Sequence, residues 1–354
     1  MKKLSVCILF GGVSPEHEVS LRSAESVLNN LDSAKYNVFP VGITREGQWV
    51  LFGGRDYSLL PTGAWESHPQ NRYATLSPVR GQGLLSFEND CVVRERIDVV
   101  FPLLHGENGE DGSVQGLLQL AGLPFVGSGV GASSARMDKA VTKLLCSQAG
   151  ILQTDWQLVS RKNWERGAEA VMERAEEAFS YPVFVKPAGT GSSIGISKAK
   201  NREELEASIL DALRYDDKVL IEAFVDGREI EVAVLGNDNP CASVCGEIEA
   251  GAEFYDYEAK YLADCASFYV PARLESEMEE HVRETAVRVY ETMGCRGLAR
   301  VDFFVRKDDG AVVFNEINTI PGFTSISMYP KLFAASGIAY PDLLDKLIAL
   351  ALED

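Results

Sequence analysis

The sequence has no long apolar run, no block of basic residues and no paired-cysteine motif. Its longest apolar stretches, such as residues 4–10, are as long as a strand, whereas a membrane-spanning helix needs roughly 20 apolar residues. Without a block of Lys and Arg, the chain lacks the basic stripe that binds nucleic acid. Met1-Lys2-Lys3 leads directly into an apolar stretch without a small-residue cleavage site. We therefore expect no signal peptide, no membrane partner and no nucleic-acid partner.

Acidic residues are in excess, since 34 Lys and Arg against 52 Asp and Glu give a net charge of −18. The hydrophobic fraction of 46% and the charged fraction of 24% are ordinary for a globular protein and exclude a fibrous or disordered chain. An acidic protein that handles anionic substrates must therefore gather cations locally. The seven cysteines are scattered, without Cys-x-x-Cys spacing, so we expect reduced thiols in a cytoplasmic protein. Cys241 and Cys245 are expected on one face of a strand.

The N-terminal third alternates between apolar strands and helices, which predicts an α/β fold with a doubly wound parallel sheet. One helix is expected to begin at Ser20, as its cap, and to run to about Leu31. Residues 45–96 are rich in glycine, proline and polar residues, and we interpret them as an irregular excursion from the sheet. The predicted strands of this third are residues 4–10, 36–44 and 99–104.

Two further α/β or α+β units follow. At roughly 150 residues per domain, the 354 residues predict two or three domains, and the motifs favour three, at 1–138, 139–225 and 226–354. Strands are predicted at 156–159, 183–186, 194–197, 219–222, 228–235, 243–248, 298–305 and 312–316. Helices are predicted at 112–120, 138–149, 168–179, 202–213, 275–293 and 340–352.

An acidic hairpin near the C-terminus is the first candidate site. Glu316 and Asn318 project to one face of a strand because side chains alternate, and the paired strand can bring Asp302 beside them. Two carboxylates and an amide oxygen suit Mg²⁺ or Mn²⁺. The alternative is a set of polar residues at the end of an edge strand.

A lysine that ends an apolar strand, Lys186, is followed by a loop of glycines and hydroxyl residues that includes Ser192 and Ser193. Backbone N–H groups of such a loop can surround a polyphosphate while the lysine supplies a point charge. The loop is neither a Walker motif nor a dinucleotide fingerprint. The alternative is a plain flexible hairpin.

The strand 219–225 runs into a loop whose backbone groups can bind an adenine edge, and Glu229 can reach ribose hydroxyls. In chain order, a lysine with a glycine loop, this strand and the acidic hairpin form a nucleotide-plus-metal layout.

Five longer motifs are more specific: GGVSPEHEVS at 11–20, HGENGEDG at 105–112, FYDYEAKY at 254–261, GLARVD at 297–302 and NEINTIPGFT at 315–324. Through them, nearly the whole chain resembles the D-alanine–D-alanine ligases of the ATP-grasp superfamily. The resemblance implies the ATP-grasp fold in three domains. It also implies ligation of two D-alanines through a D-alanyl phosphate for peptidoglycan precursor synthesis. ATP, two Mg²⁺ or Mn²⁺ ions and a homodimer are implied as well.

The resemblance also assigns site residues. Those matching catalytic positions are Glu16, Ser192, Lys260, Tyr261, Arg300 and Gly322. Those matching D-alanine contacts are His105, Ser327 and Met328. Those matching nucleotide contacts are Lys139, Lys186, Ser193, Glu222, Ala223, Phe224, Val225 and Glu229. The metal ligands would be Asp302, Glu316 and Asn318.

The roles implied follow the chemistry. Glu16 would hold the ammonium of the first D-alanine and form a hydrogen-bonded triad with Ser192 and Tyr261. Arg300 and the backbone N–H of Gly322 would stabilise the developing oxyanion. Lys260 would reach the γ-phosphate from a loop whose closure excludes water.

Bland alternatives stay open for three of these residues. Lys139 is also explained as a solvated helix lysine, His105 as a turn histidine bonded to its own loop, and Ser327 as a surface serine. Departures from the family pattern are small: Ile326 stands where many relatives have histidine, and the 45–96 stretch is longer than in the shortest members.

Two alternative functions make different demands on the sequence. A related ligase would join D-alanine to D-lactate or D-serine, and Tyr261 favours an amine nucleophile. A nucleotide-binding regulatory protein with a decayed site would have lost at least one of five site residues, yet all five are present: Lys186, Arg300, Asp302, Glu316 and Asn318.

Overall fold

The computed structural model describes residues 3–89, 91–191, 193–250, 266–324 and 326–353. Within these ranges, the elements form three sheets covered by helices. No helix in these ranges combines the length and apolar composition needed to cross a bilayer.

The first sheet is seven-stranded, in the order β6-β5-β4-β3-β2-β1-β7. Strands β1 and β2 are parallel, as are β1 and β7, which is the predicted arrangement. Helix α1 (His17–Asn30) packs against β1, and α2 (Ser113–Ala121) follows β7. The strands are β1 (Leu4–Gly11), β2 (Tyr36–Ile43), β3 (Trp49–Leu51), β4 (Arg72–Leu76), β5 (Leu84–Glu88), β6 (Cys91–Glu95) and β7 (Val99–Pro102).

Two predictions in this unit are wrong. Residues 45–96 are not an irregular excursion, because β3 to β6 extend the sheet by antiparallel pairing. Helix α1 begins three residues before Ser20, which therefore does not cap it. The buried Ser20 hydroxyl instead accepts from the Gly11 N–H at 2.7 Å and donates to the Leu103 carbonyl at 2.5 Å. It joins α1 to β1 and to the end of β7.

The second sheet has the order β10-β9-β11-β8. Its elements are β8 (Trp156–Ser160), α5 (Arg161–Ala178), β9 (Val183–Pro187), β10 (Ser197–Ala199), α6 (Arg202–Ala212) and β11 (Lys218–Ala223). The strand predicted at 194–197 lies instead at 197–199, because residues 193–195 form a turn with positive φ at Ser193 and Gly195. Helices α3 (Val130–Met137) and α4 (Lys139–Gln148) precede this unit, and α3 was not predicted.

The third sheet has the order β14-β13-β12-β15-β16. Its strands are β12 (Gly227–Gly236), β13 (Cys241–Ala250), β14 (Ala266–Tyr269), β15 (Gly297–Arg306) and β16 (Val312–Asn318). The predicted β15–β16 hairpin is present, and it pairs Asp302 with Glu316. Cys245 is buried and Cys241 exposed, so the expectation of a common face is wrong. The pairing of β12 with β13 shifts between them, which breaks the alternation.

Three helices complete the third unit: α7 (Ser276–Thr292), α8 (Met328–Ala335) and α9 (Tyr340–Ala351). Leu343, Leu347 and Ile348 of α9 share one hydrophobic core with Ile8 and Leu21 of the first unit. This core therefore packs the C-terminal helix against the N-terminal unit. The loops after β1, β7, β9 and β16 approach one another beside it.

Candidate active site

A cleft of about 660 Å³ lies between the α3–α4 junction, the loop after β9 and the end of β16. Lys139, the first residue of α4, lines it and donates to the carbonyl of Thr190 in the glycine-rich loop. Burial lowers the pKa of Lys139 to about 8, while Glu316 opposes the shift. The predicted residues that line this cleft are Lys139, Lys186, Ser193, Glu222, Glu316 and Asn318.

Glu222 in β11 is the centre of a buried charge cluster. One carboxylate oxygen lies 2.7 Å from Lys186 Nζ and the other 3.1 Å from Lys143 Nζ. Burial opposes ionisation of Glu222, but the two ammonium groups outweigh it and lower its pKa to about 2. Burial lowers the pKa of Lys143, whereas Glu222 outweighs burial at Lys186 and raises its pKa. Glu222 is therefore a permanent anion between two amines.

The residues predicted to contact the base lie at the end of β11. The Ala223 N–H donates to the Asp155 carbonyl at 3.0 Å. Phe224 is 42% exposed and lies between the Phe184 ring and the Lys198 ammonium. Val225 follows in the half-buried loop. The end of β11 therefore presents a partly exposed aromatic ring, that of Phe224.

Glu16 lies between two loops of the predicted site. It precedes α1 and is 9% exposed. A Cβ on Gly106 would lie 2.3 Å from Glu16 Oε2, and a Cβ on Gly191 would lie 2.8 Å from it. Gly106 also has a positive φ of 71°, a conformation that favours glycine. The Glu16 carboxylate therefore lies against both the loop after β7 and the glycine-rich loop.

The predicted metal ligands come together at the β15–β16 hairpin. Asp302 is paired with Glu316, and Asn318 Nδ2 donates to Asp302 Oδ2 at 3.1 Å. A second cavity of about 330 Å³ is lined by Asp302 and Glu316 together with Glu229, the predicted ribose contact. Among the described residues, no group of three His, Cys, Asp or Glu is arranged for a metal. The set is two carboxylates and an amide oxygen, which is the chemistry of a hard cation.

Arg300 binds this set directly. Its Nε and one Nη each donate to an Asp302 oxygen at 2.7 Å, and Nε lies 3.1 Å from Glu231. Burial works against the charged form, but Asp302 and Glu231 outweigh it and raise the pKa of Arg300 well above its ordinary value. Arg300 thus carries a fixed positive charge beside the predicted metal ligands.

Gly322 and Ser327 are neighbours in the segment between β16 and α8. A Cβ on Gly322 would lie 2.8 Å from Ser327 Oγ. That hydroxyl also accepts from the Thr324 N–H at 3.0 Å, so it helps to shape the segment. The Met328 side chain is buried in the core beneath β13. Any contact of Met328 with substrate would therefore come from its backbone at the start of α8.

His105 follows β7 and is 4% exposed. Nδ1 lies 3.0 Å from the Ile320 carbonyl and Nε2 lies 3.1 Å from Ser23 Oγ. Neither partner belongs to the histidine's own loop, so the alternative of a self-bonded turn histidine is wrong. Both ring nitrogens contact protein atoms from other elements.

Several residues of this region were missed in the sequence. Lys143 lies four positions after Lys139 on α4, a helical spacing that could have indicated a shared face. Arg136 of α3 donates to the Ile317 carbonyl at 2.8 Å and to Asn318 Oδ1 at 2.5 Å, and it lies 3.4 Å from the buried Glu110. No local pattern pointed to Arg136 or Glu110. The predictions for Ser192, Lys260 and Tyr261 fall outside the described residues.

Comparisons with known proteins identify the family of this chain. The family described as "D-ala D-ala ligase N-terminus" matches residues 5–128, and the family described as "D-ala D-ala ligase C-terminus" matches residues 145–349. The chain belongs to the D-alanine–D-alanine ligase family. The resemblance expected from the sequence is thereby confirmed.

Curated members of the family are similar over their whole length. A D-alanine--D-alanine ligase of Caldicellulosiruptor bescii is 51% identical, covering 100% of this chain and 96% of that protein. One of Acetivibrio thermocellus is 48% identical, covering 99% of this chain and 96% of that protein.

Solved structures show the same fold. The VanG D-Ala:D-Ser ligase of Enterococcus faecalis has a TM-score of 0.89 at 38% identity, covering 99% of this chain and 100% of that one. The D-alanine-D-alanine ligase of Coxiella burnetii has a TM-score of 0.87 at 35% identity, covering 99% of this chain and 94% of that one. The prediction of an α/β chain with the ATP-grasp fold is confirmed.

Proposed function

We propose that this chain is an ATP-dependent ligase that joins two D-alanines into D-alanyl-D-alanine for peptidoglycan precursor synthesis. The observation that carries the proposal is the meeting of three chemistries at one junction. A lysine-lined cleft reaches the paired-carboxylate hairpin that Arg300 binds, and the segment that contains Gly322 follows this hairpin.

The reaction runs in two steps. A carboxylate oxygen of the first D-alanine attacks the γ-phosphorus of ATP, ADP leaves, and the carboxyl group becomes a D-alanyl phosphate. The amine of the second D-alanine then attacks the acyl carbon and forms a tetrahedral oxyanion. Inorganic phosphate leaves, the nitrogen loses a proton, and the peptide bond is formed.

We assign the polyphosphate to Lys139 and Lys186, with Ser193 of the glycine-rich loop beside them. The base would lie at Glu222, Ala223, Phe224 and Val225, and the ribose at Glu229. Because Glu222 is ionised between Lys186 and Lys143, it can accept a hydrogen bond from an amino group such as that of adenine. A basic cluster inside an acidic protein also attracts the nucleotide anion.

The two D-alanines would lie at the other end of the junction. Glu16 would bind the ammonium of the first, between the loops of Gly106 and Gly191. Arg300 and the Gly322 N–H would stabilise the oxyanion, and such a donor is worth about a hundredfold or more in rate. Ser327 and the start of α8 at Met328 would receive the second carboxylate.

The oxygens of Asp302, Glu316 and Asn318 would hold Mg²⁺ or Mn²⁺, for which this donor set fits. A divalent ion there would neutralise charge on the transferring phosphoryl group. We further propose three domains at 1–138, 139–225 and 226–354, a homodimer, a cytoplasmic location, and no membrane or nucleic-acid partner. Ser192, Lys260 and Tyr261 keep their expected roles in the triad and the loop.

A second candidate function joins D-alanine to D-serine, because the VanG D-Ala:D-Ser ligase is similar in fold over nearly the whole chain. We favour D-alanine as the second substrate because curated relatives near 50% identity are named D-alanine--D-alanine ligases. Tyr261→Phe should leave some activity and loosen the choice of nucleophile.

The decisive experiment measures phosphate release from ATP and Mg²⁺ with D-alanine or with L-alanine. Release should require D-alanine, and mass spectrometry should detect D-alanyl-D-alanine. An equimolar mixture of D-alanine, D-serine and D-lactate then identifies the preferred second substrate. Phosphate release that is indifferent to D-alanine would disprove the proposal, and a predominant D-alanyl-D-serine product would establish the alternative.

A further inference from the structure

The turn Ile320–Phe323, here called the 320–323 turn, is held by four side chains from different parts of the chain. Its first residue donates its N–H to Glu110 at 3.2 Å and accepts from His105 at 3.0 Å. Its last residue, Phe323, donates its N–H to Ser23 at 3.2 Å and accepts from Tyr340 at 2.7 Å. Both ends of the turn are therefore fixed through backbone groups.

Two of these side chains are also bonded to each other. Because the Ile320 carbonyl can only accept, the neutral ring of His105 carries its proton on Nδ1. Nε2 then accepts from the Ser23 hydroxyl at 3.1 Å. Ser23 is fully buried in α1 and His105 is 4% exposed. One continuous path runs from the Phe323 N–H through Ser23 and His105 to the Ile320 carbonyl.

The two ends of this path lie on either side of the Gly322 N–H, the donor that the reaction would use. Gly322 lies between the two fixed residues and is half-buried. Its N–H makes no hydrogen bond to any of the described residues. The direction of this N–H depends on the peptide planes on either side, which the bonds at Ile320 and Phe323 define. An oxyanion donor stabilises the transition state only when it is aimed before the charge develops.

We propose that Ser23 and His105 are positioning residues that aim the Gly322 N–H at the tetrahedral oxyanion. The inference deepens the proposed function and rests on it. It assigns Ser23 a role that its sequence context did not indicate. It also gives His105 a task at the turn, through its two ring nitrogens, in place of direct contact with D-alanine.

The first test compares Ser23→Ala with Ser243→Ala. Ser243 is a matched control, because its buried hydroxyl also accepts from a backbone N–H, that of Ala233 at 3.0 Å, but touches no part of the turn. Ser23→Ala should lower kcat about tenfold or more. The KM for D-alanine and the Kd for ADP should stay within about twofold. Ser243→Ala should change none of the three.

A transition-state readout separates aiming from general loosening. A dipeptide analogue with a phosphinate at the tetrahedral centre presents the oxyanion without reaction. Ser23→Ala should weaken its binding by about the same factor as kcat, while D-alanine binding is unchanged. Equal effects of Ser23→Ala and Ser243→Ala on kcat and on analogue binding would overturn the inference.

Histidine variants provide the second test, which also decides the matter if Ser23→Ala fails to fold. Asparagine can place an N–H near the position of Nδ1, so His105→Asn should recover part of the kcat that His105→Ala loses. The KM for D-alanine should change little in either. A large rise in KM with unchanged kcat would instead show direct substrate contact and contradict the positioning role. If the wild-type chain released no D-alanine-dependent phosphate, the proposed function itself would fail. If the wild type turned over normally and the Ser23 and His105 variants behaved like Ser243→Ala, only the positioning role would be rejected.

Discussion

Around Glu222 the cleft is held by ion pairs between buried charges, whereas the 320–323 turn is held by hydrogen bonds to backbone groups. The first region has two ammonium groups around one carboxylate. The second uses a serine, a histidine, a tyrosine and one carboxylate, each bonded to a backbone atom. Buried charges are costly when one partner is lost, and each single hydrogen bond is worth about 1 kcal/mol.

The difference indicates a division of work. We expect the charged cluster to favour an anionic nucleotide. Burial lowers the pKa of Lys143 in the cluster and of Lys139 in the same cleft, so we expect this region to be sensitive to high pH. The 320–323 turn, in contrast, would orient a backbone N–H group and contributes no charge. Damage to the cluster should therefore appear in stability and nucleotide affinity, and damage to the turn should appear in kcat.

The largest effect is expected at Glu316, which lines the same cleft as Glu222 and precedes the 320–323 turn in the chain. Glu316→Ala removes one carboxylate of the predicted metal set and should lower turnover about a thousandfold, equivalent to roughly 4 kcal/mol. Phosphate release at increasing Mg²⁺, and Mn²⁺ binding with a non-hydrolysable ATP analogue, measure the loss. The exposed Glu291→Ala on α7 serves as the control. Retention of more than about a tenth of the activity by Glu316→Ala would refute the metal assignment.

Glu222→Gln should destabilise the fold by about 3–5 kcal/mol at pH 6, because Lys143 and Lys186 lose their buried counter-charge. Without the Glu222 charge, burial lowers the folded-state pKa of Lys186 below that of unfolded lysine and lowers that of Lys143 further. Stability consequently rises as pH rises and the amines lose their protons, so the deficit should shrink by pH 9. Urea unfolding at both pH values measures this, with Glu291→Gln as the control. A deficit independent of pH would show that charge does not hold the cluster.

Lys139 should make nucleotide binding pH-dependent, since burial lowers its pKa to about 8. The ammonium form is lost as pH rises through that value. Affinity for a non-hydrolysable ATP analogue should therefore fall about fivefold between pH 8 and pH 9. Lys139→Arg keeps its charge and should abolish the decline, whereas the exposed Lys162→Arg should behave like the wild type. If the affinity of Lys139→Arg for the analogue fell in the same way, the titrating group would not be Lys139.

The smallest effect concerns Tyr340, whose hydroxyl donates to the Phe323 carbonyl at 2.7 Å. Tyr340→Phe should cost about 1 kcal/mol of stability and lower kcat by roughly two- to threefold through the turn. Tyr290→Phe is a matched control, because that buried hydroxyl donates to the Gly236 carbonyl at the same distance, 2.7 Å, in another place. Unfolding and steady-state kinetics measure both. A similar kcat for the two variants would argue against coupling between the turn and catalysis.

The same contrast explains what the sequence could predict. The hairpin that brings Asp302 near Glu316 was predictable from its four-residue turn, but the register at Asp302 was not. The turn places Phe303 opposite Phe314, and a shift in register beyond that pair then places Asp302 opposite Glu316. Lys186 was also recognisable from its local sequence, because it ends an apolar strand and precedes the glycine-rich loop. In contrast, Ser23 and Phe323 are 300 positions apart, and Glu110 and Ile320 are 210 apart. No local periodicity reports such a contact.

The errors have similar physical causes. The strands within residues 45–96 have only three to five residues, too few for a clear alternation among glycines and prolines. Ser20 resembles a helix cap in sequence, yet its hydroxyl is used to join α1 with β1 and the end of β7. Tertiary bonding overrides the local preference.

The most direct test of the central claim follows oxygen from substrate to product. D-alanine labelled with ¹⁸O in its carboxylate is incubated with ATP, Mg²⁺ and the enzyme, and the released phosphate is analysed by mass spectrometry. Attack of the carboxylate on the γ-phosphorus predicts one ¹⁸O in each phosphate and one in the peptide carbonyl of D-alanyl-D-alanine. Unlabelled phosphate, or labelled phosphate without dipeptide, would contradict ligation through a D-alanyl phosphate.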